Sequence, residues 1–348
     1  MVAGTQHRRG GATGHPQVDW RGRLWLWAIA LGMLLMSSGF LPRGTEAAER
    51  ARPRRIGALT DSWGSTPHMA GLRDGLLALG YREPEDFVIG VRFTQGNHAL
   101  LPAAAHELVR YGVDLLFVTS TQPAKAAQQA TTQIPIVFAW VEDPVGLGLV
   151  QSFARPGGNI TGVTTLTLEL GPKRLALFRE LVPGLKRVLY PYDATHAPSV
   201  ALAQAYRDAA HHLGIELVEK PVRTEEEVQA MLAQIQESKV DGIMQPASLS
   251  LNIPGFIVEA AAERAIPTMF EDAFFVERDG LASYAPDGYA SGWQAARLVD
   301  KIFKGTDPVE IPVEVNTKIK FVVNLKAANA LGLTIPPTVL FQADEVIK

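Results

Sequence analysis

The segment DLLFVTSTQPAKAAQQATTQIPIVFAW, residues 114–140, decides the fold class. It places two short apolar runs on either side of an alanine-rich stretch that is compatible with a helix. Two strands that are joined by a helix usually lie parallel to each other in one sheet. Because both runs are apolar throughout and do not alternate with polar residues, the sheet is expected to be covered by helices on both faces.

The same alternation of strands and helices extends along the chain in both directions. Further strands are predicted at residues 54–60 and 87–93, and a second series of helices and strands occupies residues 173–285. A helix over 287–303 then ends at Gly305, where glycine favours a left-handed cap. The sequence therefore predicts an α/β protein with two Rossmann-like lobes, each built on a parallel sheet.

Length and composition agree with two globular lobes. The chain has 348 residues, more than the roughly 150 of one average domain, and 47% of them are hydrophobic and 20% charged. The formal net charge is −3, and no basic face is interleaved with aromatic residues. We therefore expect no nucleic-acid partner.

The N-terminus has the order of an export signal. Arginines come first, the apolar run 24–35 follows, and small residues come last. The run is shorter than the about 20 residues that span a membrane, although an uncleaved anchor is the alternative interpretation. We interpret residues 1–48 as a signal peptide and expect a periplasmic protein.

The chain contains no cysteine. It therefore has no disulfides, and its stability must come from burial of the core. It also lacks the residue at which a lipoprotein is anchored, so the exported protein is expected to be free in solution.

The glycine-rich stretch DPVGLGLVQSFARPGGNITGV, residues 143–163, raises the alternative of a phosphate-binding loop. Neither Lys-Ser nor Lys-Thr follows the glycines, and the dinucleotide pattern fails at its last position. The favoured interpretation is a turn, in which Pro156 fixes one dihedral angle and residues 157–159 supply positive φ values. A turn between two lobes is also where a hinge would lie.

Several segments resemble the substrate-binding proteins of one ABC-transporter family, some members of which take up aromatic amino acids. The similarity runs from about Arg54 to the C-terminus and rests on these segments in this order: IPIVFAWVEDPVGLGLVQSFARPGGNITGV, LASYAPD, DKIFKG and VNLKAANALGLTIPPTVLFQADEVI. The resemblance implies the type I periplasmic binding protein fold, with three crossings between the lobes and a ligand in the cleft. It also implies an ABC permease as partner, a monomer, and no cofactor.

The resemblance further implies how the lobes divide the chain. The N-terminal lobe would comprise residues 52–164 plus about 285–310, and the C-terminal lobe residues 165–284 plus about 311–348. Pro156 to Gly162 would lead into the first crossing, where an adaptable backbone lets the lobes close.

Ligand-binding residues are expected in the loops that follow the strands, because ligands of parallel sheets bind at the carboxyl ends of strands. In the first lobe this rule selects Asp61, Ser62, Trp63, Ser120, Thr121, Trp140 and Asp143, with Glu142 and Gln122 beside them. Hydroxyl and N–H groups at the helix start in TSTQPAKAA suit a carboxylate. The alternative is that Ser120 and Thr121 are ordinary helix caps.

In the second lobe the same rule selects Tyr192, Asp193, Ser248, Glu271, Tyr284 and Asp287, with Asp272 adjacent. A ligand ammonium group would need a carboxylate, and Asp287 or Glu271 is the expected partner. For Asp287, an N-cap of the following helix is the alternative. Trp63, Trp140 and Tyr192 would either stack on a flat ligand or pack in the protein.

The chain departs from the resembled family at Trp140, Val141 and Glu142 and in YPYDATH, so its ligand need not be shared. No histidine spacing indicates a metal site, and no combination of nucleophile, base and acid indicates an enzyme. The expected function is solute capture for a membrane permease. A sensor for a signalling partner and an exported two-lobe enzyme are the alternatives.

Overall fold

A computed structural model of the protein describes residues 52–165, 167–235, 239–245 and 256–348. The expected signal peptide and Ser248 lie outside these residues. Within the described ranges, no helix is long and apolar enough to cross a membrane.

The first lobe is built on a six-stranded parallel sheet with the order β11-β5-β4-β3-β1-β2. Its strands are β1 (Arg54–Thr60), β2 (Phe87–Phe93), β3 (Leu115–Val118), β4 (Ile136–Val141), β5 (Ile160–Thr165) and β11 (Glu314–Asn316). Its helices are α1 (Pro67–Ala78), α2 (Leu101–Arg110), α3 (Thr121–Ala130) and α8 (Gly288–Phe303). Apolar clusters lie on both faces of the sheet, as the continuously apolar strands predict.

The second lobe is built on a seven-stranded sheet with the order β13-β12-β10-β9-β8-β6-β7, in which the β10–β12 pair is antiparallel. Its strands are β6 (Arg187–Asp193), β7 (Glu216–Val222), β8 (Gly242–Gln245), β9 (Thr268–Phe270), β10 (Ala282–Pro286), β12 (Ile319–Asn324) and β13 (Glu345–Ile347). Its helices are α4 (Thr167–Leu181), α5 (Ala197–Leu213), α6 (Glu225–Ala233), α7 (Phe256–Glu263), α9 (Leu325–Ala330) and α10 (Pro337–Gln342).

In the part of the chain that the structure describes, the order of elements gives three crossings between the two sheets: between β5 and α4, between β10 and α8, and between β11 and β12. The predicted two-lobe α/β fold is confirmed. Residues 314–316, which the predicted boundary gives to the second lobe, pair with β5 in the first sheet.

The second and third crossings are tied together by hydrogen bonds. Asp287 N donates to Lys318 O at 2.8 Å. The amide of buried Asn316 donates to Asp287 O at 2.9 Å and to Ser291 Oγ at 2.8 Å. These bonds satisfy backbone groups that would otherwise be left unpaired where the strands end.

The glycine-rich stretch differs from its prediction. Gly157 has a positive φ of 82°, but Gly158 and Asn159 do not, and the Asn159 amide donates to the carbonyls of Thr131 and Ile134. The turn joins β4 to β5 within one sheet, so it does not lie between the lobes. The β-branched residues of ITGVTT form β5, and the crossing follows only where this strand ends.

Helices α1 and α8 approach so closely that their backbones touch. A Cβ atom added at Gly71 would lie 2.0 Å from the carbonyl oxygen of Tyr289, and one at Gly292 would lie 1.9 Å from that of His68. Each helix carries two glycines four residues apart, Gly71 and Gly75 in α1 and Gly288 and Gly292 in α8. Glycine is required here because any side chain would separate the helices.

We expect Gly71→Ala to lower the free energy of unfolding by about 3 kcal/mol or more, because the methyl group would overlap a backbone atom that cannot move independently. Urea denaturation followed by circular dichroism measures the change. Gly90→Ala in β2 is the matched control, since a Cβ there meets nothing within 4 Å. Equal stability of the two variants would contradict the tight helix contact.

Candidate ligand-binding site

A cleft of about 850 Å³ opens where the carboxyl ends of both sheets meet. Most of its lining comes from the first lobe, and three residues come from the second. The lining residues are Thr60, Asp61, Ser62, Thr66, His68, His98, Thr119, Ser120, Thr121, Gln122, Trp140, Glu142, Asp193, His196 and Asp272. In the described ranges, no three histidine, aspartate or glutamate side chains are grouped so that they could hold a metal ion.

Asp61 is the centre of a polar cluster at the first-lobe wall. Ser120 Oγ donates to Asp61 Oδ1 at 3.0 Å, and His98 Nε2 lies 3.3 Å from Asp61 Oδ2. Behind it, Thr119 Oγ1 donates to Thr60 Oγ1 at 2.8 Å. The cluster forms because β1 lies between β2 and β3, which brings the three strand ends together.

The N-terminus of α3 faces the cleft without a side-chain cap. Ser120 occupies the N-cap position, but its hydroxyl makes no capping bond and donates to Asp61 instead. The first N–H groups of α3 are therefore left for another acceptor, and an anion is the natural one at a helix N-terminus. The alternative in which Ser120 is an ordinary cap is not what the structure shows.

Trp140 and His68 form an aromatic wall. Their rings meet edge to face, with centroids 5.0 Å apart. An irregularity in the β4–β5 register between Phe138 and Val141 precedes Glu142, and such bulges redirect side chains. Burial lowers the pKa of His68 to about 4, so its imidazole is neutral at pH 7.

The second-lobe wall is carboxylate-rich. Asp193 Oδ1 accepts hydrogen bonds from the N–H and hydroxyl groups of Thr195, and Asp272 Oδ1 accepts one from Phe274 N. Burial raises the pKa of Asp272. Burial also lowers the pKa of His196, whose Nδ1 lies 3.0 Å from Ser199 Oγ.

This architecture agrees with comparisons of sequence. The sequence profile of the family described as ABC transporter substrate binding protein matches residues 62–347. The chain belongs to this family. Its members are substrate-binding proteins and not enzymes, as the sequence indicated.

Individual relatives of this substrate-binding protein support the same grouping. A tyrosine-binding protein from Clostridioides difficile (strain R20291) is 28% identical over 256 residues, which cover 73% of each chain. A crystal structure of an ABC domain from Streptococcus pneumonia in complex with L-Trp is 28% identical, covers 85% of this chain and all of that one, and has a TM-score of 0.76.

A third relative was solved without ligand. The ligand-free, open structure of a substrate-binding protein with adhesive properties from Clostridium difficile is 25% identical to this chain. It covers 85% of this chain and 99% of its own, and its TM-score is 0.60.

Seven of the predicted binding residues lie at the cleft or next to it. Asp61, Ser62, Ser120, Thr121, Trp140 and Asp193 line the cleft, and Asp143 lines an adjoining cavity. Trp63 follows β1 with 52% of its surface exposed and does not line either cavity. The ligand roles of these residues stay predictions.

The remaining described residues of the predicted site lie elsewhere. Asp287 caps α8 by accepting from Tyr289 N and Ala290 N, which is the alternative that the sequence left open. Tyr192 stacks on Tyr190, and the Tyr284 carbonyl accepts from Arg174. None of these residues lines the cleft.

Glu271 is also outside the cleft, in a buried network under α4 and α5. Its Oε1 accepts from Arg174 Nη1 and from the Tyr206 hydroxyl, each at 2.8 Å, and Arg174 contacts Tyr206 as well. The Arg174 and Glu271 side chains are 0% and 1% exposed. Glu271 therefore binds a partner within the protein. It does not line the cleft in which a ligand ammonium group was expected to meet it.

Sequence reasoning missed Thr66, His68, His98 and His196. The strand-end rule could have found His98, since it follows β2, and His196, since it follows Thr195 after β6. His68 had no such signal, because it reaches the cleft from the first turn of α1.

We expect Glu271→Ala to lower the free energy of unfolding by about 3–5 kcal/mol, because it leaves Arg174 buried without its carboxylate. Denaturant unfolding measures the loss. Glu216→Ala is the control, since its partner Arg187 is exposed and such a pair contributes at most about 1 kcal/mol. A cost for Glu271→Ala as small as the control would contradict a structural role.

The stability of the protein should depend on pH through Glu142. Burial, with the nearby Glu271 adding to it, raises the pKa of Glu142 to about 8. The folded protein therefore holds a proton that the unfolded chain releases above its ordinary pKa of about 4.5, and this contribution to stability is lost as pH rises from about 4.5 to 8. Because glutamine does not ionise, the Glu142→Gln variant does not lose this stability. The melting temperature of the variant minus that of wild type should therefore increase as the pH rises through this range. A melting-temperature difference that does not change with pH would contradict the raised pKa.

Proposed function

We propose that this substrate-binding protein is the periplasmic receptor of an ABC importer and captures an amino acid in its cleft. Its membership of the family supports solute binding, and the export-like order of its N-terminus supports a location outside the cytoplasmic membrane. A membrane permease is the partner that such a receptor serves. The tyrosine and tryptophan named for two relatives make an aromatic amino acid the first ligand to test.

The observation that carries the amino-acid assignment is that the cleft offers two opposite kinds of polar group. The uncapped N-terminus of α3 offers N–H donors to a carboxylate. Asp61 and Asp193 lend negative charge to the same cleft, which favours a ligand with an ammonium group. A zwitterion suits both kinds of group at once, whereas a sugar would leave them without a partner of opposite charge.

Closure of the lobes is the mechanism that we propose for capture. A ligand that contacts both walls stabilises the closed form over the open one, and the three crossings supply the hinge. The higher TM-score to the L-Trp complex than to the ligand-free, open relative is consistent with a closed arrangement, since the two relatives are similarly distant in sequence.

Ligand binding should raise the melting temperature of the purified protein, and the increase should grow with the logarithm of the free ligand concentration above the dissociation constant. We expect L-tyrosine, L-tryptophan or L-phenylalanine to stabilise it. Ribose and inositol, which lack both charges, should not. If no amino acid stabilised the protein while a neutral sugar did, the amino-acid assignment would be wrong.

The α3 N-terminus can be tested by removing one N–H group. Thr121→Pro does so at the first helical position, where proline is tolerated and where the extended Ser120 is compatible with a following proline. We expect at least a tenfold loss of affinity for the amino acid by calorimetry. Thr121→Ala is the matched control, because it removes the hydroxyl and keeps the N–H. Equal affinities of the two variants would exclude this carboxylate site.

A further inference from the structure

Glu142 lies where the cleft and an adjoining cavity meet. It is the residue after β4, and Thr164 Oγ1 fixes its backbone by donating to Val141 O at 2.6 Å. Glu142 lines both the 850 Å³ cleft and the adjoining cavity of about 1150 Å³. Glu142 thus lies at the junction of the two spaces and is accessible from either one.

The Glu142 carboxyl group has no partner of its own. Within the described part of the chain, no side chain or backbone group donates a hydrogen bond to it, and no cation lies at ion-pair distance. Its neighbours on the second lobe are Glu271, Arg174 and Tyr190, and Arg174 is already bound to Glu271. An ionised carboxylate in this partly buried position would have no compensating charge of its own, which is unfavourable.

The other titratable groups of the two cavities do not supply the missing cation. Carboxylates outnumber the imidazoles, and His68 is held neutral by burial. These groups are Asp61, His68, His98, Asp143, Glu169, Asp193, His196 and Asp272. These neighbours therefore favour the protonated form of Glu142, in line with the raised pKa described above.

We propose that Glu142 binds the cationic group of the ligand and releases its own proton when it does so. The proton leaves the carboxyl group for the solvent, and the ligand cation takes its place, so the net charge of the site is the same before and after binding. The proposal rests on the proposed function, since it assigns the ammonium end of the same ligand. It places that end at Glu142, where the two cavities join, while Asp61 and Asp193 contribute only negative charge around it; Glu271 and Asp287, the partners expected from the sequence, are not its partners.

Three probes separate the two ends of the ligand. L-tyrosine carries both charges, tyramine carries only the ammonium, and 3-(4-hydroxyphenyl)propionate carries only the carboxylate. Calorimetry at pH 7 in phosphate and in Tris buffers, which differ in ionisation enthalpy, counts the protons released. We expect about one proton for tyrosine and tyramine and none for the propionate.

Glu142→Gln replaces the protonated acid with a neutral group of the same shape, so the fold should be kept. We expect it to abolish proton release and to weaken tyrosine and tyramine at least tenfold at pH 8, with the propionate unaffected. Glu216→Gln is the matched control, because it makes the same chemical change at an exposed carboxylate that lines neither cavity. Between pH 6 and 8, wild-type affinity for tyramine should rise with pH, and that of Glu142→Gln should rise less.

The outcomes distinguish this proposal from the amino-acid assignment. Tyrosine that binds without proton release, and equally well to Glu142→Gln, would overturn the role of Glu142 and leave the proposed function intact. Tyramine that binds with proton release while tyrosine does not bind would overturn the amino-acid assignment and support Glu142. Failure of all three probes would overturn both.

Discussion

The contact between the backbones of α1 and α8 is the constraint on which the two-lobe arrangement depends. Helix α8 follows a strand of the second sheet, yet it packs in the first lobe, and glycines at facing positions allow it to do so. Its first turn is capped by Asp287, and Asn316 binds the neighbouring crossing to the same turn. The helix contact therefore fixes the point from which two of the three crossings start.

The same contact shapes the cleft. The His68 backbone lies against Gly292, and a Cβ atom at Gly288 would lie 2.9 Å from His68 Nε2. The imidazole is thereby held edge-on to Trp140, where burial keeps it neutral. Two of the three crossings and one wall of the cleft thus depend on the same helix pair, so a shift of α8 would alter both.

Burial then sets the charges of the cleft. Arg174 is paired with Glu271 beneath the second-lobe wall, where neither group is exposed. Among the residues that the structure describes, Glu142 has no such partner, and burial raises its pKa to about 8 instead. One carboxyl group is compensated by the protein, while the other is left for a group that arrives from outside. Both carboxyl groups follow the end of a strand, Glu142 after β4 and Glu271 after β9. They differ in role because, in the described part of the chain, Glu271 has a buried partner in the protein and Glu142 does not.

Prediction from the sequence succeeded where local pattern and tertiary structure agree. Continuously apolar runs located β1 to β4, and the strand-end rule brought Asp61, Ser120 and Asp193 to one cleft. The sequence analysis did not predict β5, because the glycines and the proline that precede ITGVTT favoured a turn there. The strand-end rule also selected Glu271 for the same site as Asp193, whereas Glu271 is buried against Arg174. The direction in which a residue at the end of a strand points depends on the pleat and on which helices cover that face.

By itself, the sequence determined the two-lobe α/β class and the loops from which a site would be built. Hydrophobic periodicity and the alternation of strands and helices along the chain are local properties, so they can be read from the sequence. Only the tertiary structure decided that Glu271 is enclosed with Arg174, that Asp287 is a helix cap, and that Glu142 lines the cleft with no ion-pair partner among the described residues. The reason is physical: the charge state and the role of a carboxyl group depend on solvent and partners, and these are supplied by segments distant in sequence.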